Sequence, residues 1–123
     1  MQITIYHNPA CGTSREVLNL VQSTGEEVQI VEYLKYPPGK EELIELIQSI
    51  GITTRDLLRS QEVLYTELGL GDAKWTDSQI IDIIRQYPIL MNRPIVKTPF
   101  GARLCRPPET VMEILSKSVS AST

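Results

Sequence analysis

The sequence is poor in the residues that build metal sites and disulfide scaffolds. Its 123 residues include one histidine and two cysteines, whereas a structural metal site needs several thiolates or imidazoles close together. Cys11 and Cys105 lie far apart in the chain, and no export signal precedes them, so we expect reduced thiols and no disulfide. These shortages predict a protein without a bound metal.

Long apolar runs are also lacking, and aromatic residues are few. With one Phe and one Trp, the core must be mainly aliphatic. No apolar run approaches the roughly 18 residues that a membrane span requires. The first residues, Met1 to Ile5, resemble neither a basic leader nor a signal peptide. We therefore expect a cytoplasmic protein with no membrane partner.

An excess of positive charge is absent as well. The formal net charge is −3, so the chain as a whole repels nucleic acid, and we expect no nucleic-acid partner. An anionic ligand would have to be bound by a local group of cations. No surface pattern demands a dimer, so a monomer is expected.

The apolar residues recur at spacings that predict alternating strands and helices. In chain order we expect a strand at Gln2–Tyr6, a helix capped by Thr13 or Ser14 and ended by Gly25, a strand at Val28–Tyr33, a helical block at Pro38–Tyr87, strands at Ile95–Thr98 and Arg103–Arg106, and a final helix opened by Pro107 and Pro108. This order predicts an α/β fold with one mixed sheet. It predicts a single domain over residues 1–116, followed by a small polar tail, 117–123, that we expect to be disordered.

Three local signals sharpen this outline. Thr76 and Gln79 form a capping-box pair ahead of an isoleucine-rich helix. A loop over 99–102 joins the last two strands as a hairpin. The final helix is expected to bury four apolar side chains: Val111, Met112, Ile114 and Leu115.

Cys11 is the strongest candidate for chemistry. It lies between a strand end and a helix start, where free backbone N–H groups and the helix dipole favour a thiolate. The same N–H groups, which follow Gly12, can bind an oxyanion. A free cysteine is more often only a small buried apolar residue. The Pro, Gly, Thr and Ser neighbours here favour a nucleophile.

Two polar residues flank this cysteine. His7 can donate to the sulfur or place positive charge beside it, although a lone histidine is often a plain turn residue. Ser14 stands where a dithiol motif carries its second cysteine, so a second molecule must resolve any adduct on Cys11. Its hydroxyl can equally cap the helix.

Three separate blocks of sequence resemble the glutaredoxin-coupled arsenate reductase family. They are Tyr6–Arg15 (YHNPACGTSR), Asn92–Val96 (NRPIV) and Gly101–Pro107 (GARLCRP). The similarity runs from about Ile3 to Leu115. Because the blocks occur in the same order as in the family, the match is far more specific than a lone Cys-x-x-Ser.

The resemblance implies a thioredoxin-like fold with a helical insertion, about 38–88, between the second and third strands. It implies a catalytic thiolate at Cys11, with His7 and Ser14 lowering the pKa of its thiol or holding it in place. It also implies that Pro94 is a cis-proline. Three arginines would bind the oxyanion: Arg59, Arg93 and Arg106.

The same resemblance implies a reaction that detoxifies arsenic. The thiolate attacks arsenate and expels water, glutathione attacks the adduct at arsenic, and glutaredoxin reduces the mixed species. Arsenite then leaves and Cys11 is restored. Arsenate, glutathione and glutaredoxin are thus the expected partners, with glutathione as cosubstrate and the thiol pool as the electron source. The reaction that the resemblance implies requires no bound cofactor.

The local sequence supports a role in the site for some of these residues more than for others. Nothing near Arg59 distinguishes it from an exposed arginine, Arg106 is expected to leave the sheet, and Arg15 is a further candidate cation. Cys105 lies mid-strand, and the family chemistry does not use its position, so we interpret it as structural.

Other functions are less well supported by the residues. A phosphatase-type loop needs Cys-x5-Arg, but position 17 is Val17. Gly69-Leu70-Gly71 lacks the third glycine and preceding strand of a nucleotide-binding loop. A redox-responsive transcription regulator, or a thiol reductase of unknown substrate, is the remaining alternative, and a regulator would favour a second cysteine where Ser14 stands.

Overall fold

The computed structural model describes residues 1–115, and the predicted disordered tail, 117–123, lies outside them. In chain order the elements are β1 (Gln2–Tyr6), α1 (Gly12–Gln22), β2 (Glu27–Val31), α2 (Lys40–Ile50), α3 (Val63–Glu67), α4 (Asp77–Gln86), β3 (Ile95–Thr98) and β4 (Gly101–Leu104), with 3₁₀ helices at Arg55–Leu57, Pro88–Leu90 and Pro108–Ile114. The chain forms two compact units. One comprises Met1–Tyr36 with the chain from Arg93 onward, and the other comprises Pro37–Asn92.

The first unit contains a four-stranded sheet with the order β2-β1-β3-β4. β1 pairs with β2 in parallel, through the α1 crossover, and with β3 in antiparallel. β4 returns beside β3 as a hairpin. This arrangement confirms the predicted α/β fold with a thioredoxin-like mixed sheet. It also places the carboxyl end of β1 directly before the loop that carries Cys11.

An aliphatic core covers one face of this sheet. Ile3 and Ile5 project to the same side because side chains alternate along a strand, and both are fully buried. α1 adds Val17 and Val21 one helical turn apart. As Ile, Leu and Val predominate in it, the core explains how the chain folds with so few aromatic residues.

The final helix is a 3₁₀ helix, which changes its buried face. Its period of three residues aligns Val111 with Ile114 and turns Met112 away. Accordingly, Val111 and Ile114 are fully buried, whereas Met112 is 48% exposed. The prediction that Met112 is buried was wrong, because it assumed α-helical spacing.

Two strands and one helix begin or end at other residues than predicted. β2 ends at Val31 because Glu32 begins a turn in which its carbonyl accepts from the N–H of Lys35. β4 begins at Gly101, whose φ of +138° permits a two-residue turn, and ends at Leu104. Arg106 therefore lies beyond the strand, as expected. The α1 cap is Cys11 and not Thr13 or Ser14, with consequences described below.

The second unit, Pro37–Asn92, is mainly helical, as the sequence predicts. α2 buries Leu43, Leu46 and Ile47 along one face and ends at Gly51, whose φ of +82° closes the helix in the left-handed region. α4 packs against α2 and buries three isoleucines: Ile80, Ile81 and Ile84. Among residues 1–115, no helix combines the length and apolar character needed to cross a membrane.

The predicted capping box of α4 is confirmed. The backbone N–H of Gln79 donates to Thr76 Oγ1 at 3.2 Å, and the backbone N–H of Thr76 donates to Gln79 Oε1 at 2.9 Å. Two N–H groups that the helix itself leaves free are thereby satisfied.

Replacing this cap is expected to weaken the protein without touching the sheet. Thr76→Ala removes the acceptor for the Gln79 N–H and should lower the free energy of unfolding by about 1 kcal/mol. Urea denaturation followed by circular dichroism measures the change. Thr66→Ala, an exposed threonine of α3, is the matched control and should be nearly neutral. Equal stability of the two variants would contradict a capping role for Thr76.

Candidate active site

Cys11 is the N-cap residue of α1. Its backbone is extended, with φ −94° and ψ 123°, and among the described residues no side chain caps this helix by a hydrogen bond. An N-cap side chain normally accepts from the N–H groups of the second and third helical residues, which here are Thr13 and Ser14. Cys11 thus stands at the capping position, although within residues 1–115 its sulfur makes no hydrogen bond that caps the helix. The side chain is nearly buried, with 8% of the residue exposed.

Opposing influences act on the Cys11 thiol, and those that favour the thiolate prevail. Burial raises the pKa of the Cys11 thiol, while the backbone N–H of Ser14 lowers it. The charge of Arg93 and the N–H of Thr13 lower the pKa further, as does a hydrogen bond from the Arg106 guanidinium. The net pKa of Cys11 lies below its ordinary value. This combination of a helix N-terminus and adjacent cations is typical of a nucleophilic cysteine.

Arg93 and Arg106, two of the three predicted oxyanion-binding arginines, lie together beside the Cys11 loop. Arg106 Nη1 donates to the backbone carbonyl of Arg93 at 3.1 Å. Each arginine precedes a cis-proline, Pro94 and Pro107. The structure confirms the predicted cis-proline at Pro94, whereas the one at Pro107 was not predicted. Arg93 Nε is buried and has no hydrogen-bond partner within residues 1–115.

The side chains of His7 and Ser14, which lie on either side of Cys11 in the sequence, contact each other. His7 Nδ1 lies 2.6 Å from Ser14 Oγ, and both residues are buried. Burial lowers the pKa of His7, the Glu32 carboxylate opposes this effect, and the Arg15 guanidinium adds to it, leaving the pKa below its ordinary value. A neutral imidazole is therefore favoured near pH 7. The imidazole contacts Ser14 Oγ, and its lowered pKa does not favour a positive charge on His7.

Ser14 has a different structural role from the predicted cap. It is the third residue of α1, fully buried, and its Oγ accepts from the backbone N–H of Asn8 at 3.0 Å. With its contact to His7 on the other side, the hydroxyl joins the end of β1 to the first turn of α1. The Ser14 side chain thus holds the loop before Cys11 against α1. The Ser14 backbone N–H favours the Cys11 thiolate.

Asn8 is a buried site residue that sequence reasoning did not select. Its Oδ1 accepts from the backbone N–H of Ala10 at 3.0 Å, and its carbonyl accepts from the N–H of Cys11 at 3.0 Å. The signal was present, because Asn followed by Pro9 often begins a turn that an Asn side chain closes.

Arg15, the further candidate cation, donates from Nη1 to the carbonyl of Pro9 at 2.8 Å.

Arg59, the third predicted arginine, belongs to the helical unit. It follows the 3₁₀ helix at Arg55–Leu57, and its backbone N–H donates to the carbonyl of Leu90 at 2.8 Å. Its Nη1 forms a partly buried ion pair with Glu62 Oε1 at 2.5 Å. Arg59 Nε, like Arg93 Nε, is buried and has no partner within residues 1–115. Arg59 is therefore not the plain exposed arginine that its local sequence allows, and one of its donors is unused.

Cys105 differs from Cys11 in its surroundings and in the pKa of its thiol. It is fully buried in the core beside Ile3, Val17 and Val111. Burial raises the pKa of Cys105 to about 12. Both cysteines are free thiols. Within residues 1–115, no three His, Cys, Asp or Glu side chains cluster as metal ligands.

The two thiols should differ sharply toward an alkylating reagent. Cys11 is expected to react with iodoacetamide in the native protein, with a rate that rises with pH and is half-maximal below the ordinary thiol value of about 8.5. Cys105 should react only after denaturation. Mass spectrometry of the native and denatured protein counts the modified thiols. Native modification of Cys105 at a comparable rate would contradict this difference.

The sequence matches the model of the ArsC family over residues 6–114. The chain belongs to the ArsC family. An arsenate reductase from Escherichia coli K12 is 56% identical over 113 residues, which cover 92% of this chain and 80% of the relative. An arsenate reductase from Acidiphilium multivorum is 55% identical with the same coverage. The resemblance inferred from three sequence blocks is thereby confirmed.

Solved structures support the ArsC fold. A putative arsenate reductase from Yersinia pestis has a TM-score of 0.87 and 46% identity, covering 91% of this chain and 99% of its own. An arsenate reductase from Vibrio cholerae has a TM-score of 0.89 and 43% identity, covering 94% and 98%. The thioredoxin-like arrangement with a helical insertion is thus that of the ArsC family.

Proposed function

We propose that this chain reduces arsenate to arsenite through a covalent adduct on Cys11, using glutathione and glutaredoxin as reductants. The observation that carries the proposal is the thiol at the N-cap of α1, where backbone N–H groups and two arginines favour its thiolate. Membership in the ArsC family, whose similar members bear the name arsenate reductase, indicates which oxyanion reacts there.

The first step is attack by the Cys11 thiolate on arsenic(V). A sulfur–arsenic bond forms, an arsenic–oxygen bond breaks, and the oxygen leaves as water after protonation. The N–H groups of Thr13 and Ser14 favour the thiolate before attack and can then bind the arsenate oxygens. Arg93 and Arg106 balance the negative charge of the arsenate anion. A planar guanidinium suits this task because it can meet two oxygens at once.

The later steps need thiols from other molecules, because Ser14 occupies the position of a second local cysteine and Cys105 is buried. Glutathione displaces a second oxygen as water and forms its own sulfur–arsenic bond. A glutaredoxin thiolate then attacks the glutathione sulfur. The bonding pair passes to arsenic, which becomes arsenic(III), and a glutaredoxin–glutathione disulfide forms. Water cleaves the remaining sulfur–arsenic bond, so that arsenite leaves and the Cys11 thiol is restored.

The remaining site residues have supporting roles in this proposal. His7 and Ser14 hold the first turn of α1 against the end of β1. Arg59 is assigned to substrate binding on the family resemblance and on its unused buried Nε. Arsenic detoxification is the physiological outcome, and the protein acts as a monomer in the cytoplasm.

A coupled assay tests the reaction. The purified chain is mixed with arsenate, glutathione, glutaredoxin, glutathione reductase and NADPH, and NADPH oxidation is followed by absorbance. Oxidation should depend on arsenate, glutathione and glutaredoxin together. Omission of each component in turn is the control.

A folded chain that gives no arsenate-dependent oxidation would overturn the proposed substrate. Arsenate-dependent oxidation that persists without glutaredoxin would instead overturn the proposed reductant. In the first case a thiol-based regulator, or a reductase for another oxyanion, would fit the same site.

A further inference from the structure

Asn8 makes more contacts within the Cys11 loop than its exposed neighbours do. The residue is 8% exposed. Its backbone N–H donates to Ser14 Oγ, its carbonyl accepts from the Cys11 N–H, and its side-chain Oδ1 accepts from the Ala10 N–H, each at 3.0 Å. A single residue therefore connects the strand end, the turn and the first turn of α1.

Two of these three bonds use backbone atoms, which any residue supplies. Only the bond from Ala10 to Oδ1 depends on the asparagine side chain. It closes the turn over Asn8–Cys11 from inside, in the way that Asn side chains close turns when Pro follows. Ala10 itself is exposed, so water can satisfy its N–H if Oδ1 is removed. Loss of this bond should therefore affect the order of the turn more than the stability of the fold.

The consequence of disorder in this turn falls on Cys11. The Cys11 sulfur benefits from the N–H groups of Thr13 and Ser14 only while residue 11 keeps its extended N-cap conformation. That conformation depends on the preceding turn, because the turn sets the position and direction of the backbone at residue 11. A looser turn lets the sulfur leave these N–H groups, while α1 and the core below it remain in place.

We propose that Asn8 is a positioning residue whose side chain fixes the turn that holds the Cys11 sulfur at the N-cap of α1. This inference rests on the proposed function only insofar as Cys11 is the nucleophile. It adds a residue that touches neither sulfur nor substrate but sets the reactivity of the thiol. Asn8 is thereby distinct from Arg93, which acts on the sulfur by its charge, and from Arg106, which acts on it by a hydrogen bond.

The test is the pH dependence of Cys11 alkylation by iodoacetamide in Asn8→Ala. We expect the midpoint to rise by about one pH unit, and the rate at pH 7 to fall up to tenfold. Turnover of arsenate should lose kcat with little change in KM, since the anion-binding groups remain. Asn19→Ala, which removes an exposed amide from the same helix, is the matched control and should keep the wild-type midpoint.

A second variant keeps the test valid if Asn8→Ala does not fold. Asn8→Ser keeps an oxygen that bonds the Ala10 N–H more weakly, so its midpoint should lie between those of wild type and Asn8→Ala. An unchanged midpoint in folded Asn8→Ala would overturn the proposal. If Asn8→Ala does not fold, an unchanged midpoint in Asn8→Ser would overturn it equally. Because alkylation needs no arsenate, a shifted midpoint alongside absent wild-type turnover would reject the substrate and leave the role of Asn8 intact.

Discussion

Cys11→Ser is expected to abolish arsenate turnover while the protein remains folded. A serine hydroxyl can still accept from the N–H groups of Thr13 and Ser14, and it is a common N-cap side chain, so α1 should keep its start. The hydroxyl does not ionise near neutral pH, however, and the nucleophile is lost. Removing a catalytic nucleophile costs on the order of 10⁴-fold or more in kcat. The coupled assay and a thermal melt measure the two effects separately.

The matched control is the other cysteine. Cys105→Ala should lower the melting temperature, because it removes a buried sulfur and leaves a small cavity in the core. Its kcat should equal that of the wild type, because a thiol with a pKa of about 12 in a fully buried position takes no part in the reaction. Residual turnover in Cys11→Ser that disappears when Cys105 is also replaced would show that the wrong thiol has been assigned.

The sheet and the position of Cys11 at the start of α1 could be predicted from sequence because they depend on local patterns. β1 and β3 have the predicted bounds, since alternating and clustered β-branched residues mark them and prolines or polar residues stop them. The capping box of Thr76 and Gln79 was also predicted correctly from the sequence. Where the prediction was wrong, the cause was geometry that a linear pattern does not contain. The 3₁₀ winding of Pro108–Ile114, which exposes Met112, is an example.

The site shows the same division. Cys11 could be selected as a candidate because a cysteine between a strand and a helix start has a distinct local signature. The contact between His7 and Ser14, by contrast, depends on how β1 enters α1 and was not visible as a spacing. Asn8 was passed over because Asn-Pro also marks ordinary turns. Asn8 is distinguished only by its burial and by its hydrogen bonds with Ser14 and Ala10.

Arg93→Ala should produce the second large loss of activity. Arg93 places its charge beside Cys11 and leaves a buried Nε without a partner in residues 1–115. If that donor binds the oxyanion, its loss should resemble removal of one oxyanion-hole donor, about 10²- to 10³-fold in kcat, or about 2.7 to 4 kcal/mol. Arg93→Lys keeps the charge but not the planar fork, so it should recover only part of the loss. Arg103→Ala is the matched control, since Arg103 on β4 forms an exposed ion pair with Glu113 of the final 3₁₀ helix.

The pH dependence of this loss separates two roles of Arg93. Its charge lowers the pKa of Cys11, so Arg93→Ala should raise that pKa and reduce the thiolate fraction at pH 7. At a pH well above the raised value, both proteins carry the thiolate, and this part of the loss disappears. A loss in kcat that persists there measures stabilisation of the oxyanion in the transition state. Full recovery at high pH would instead limit Arg93 to activating the thiol and leave oxyanion binding to the backbone N–H groups and Arg106.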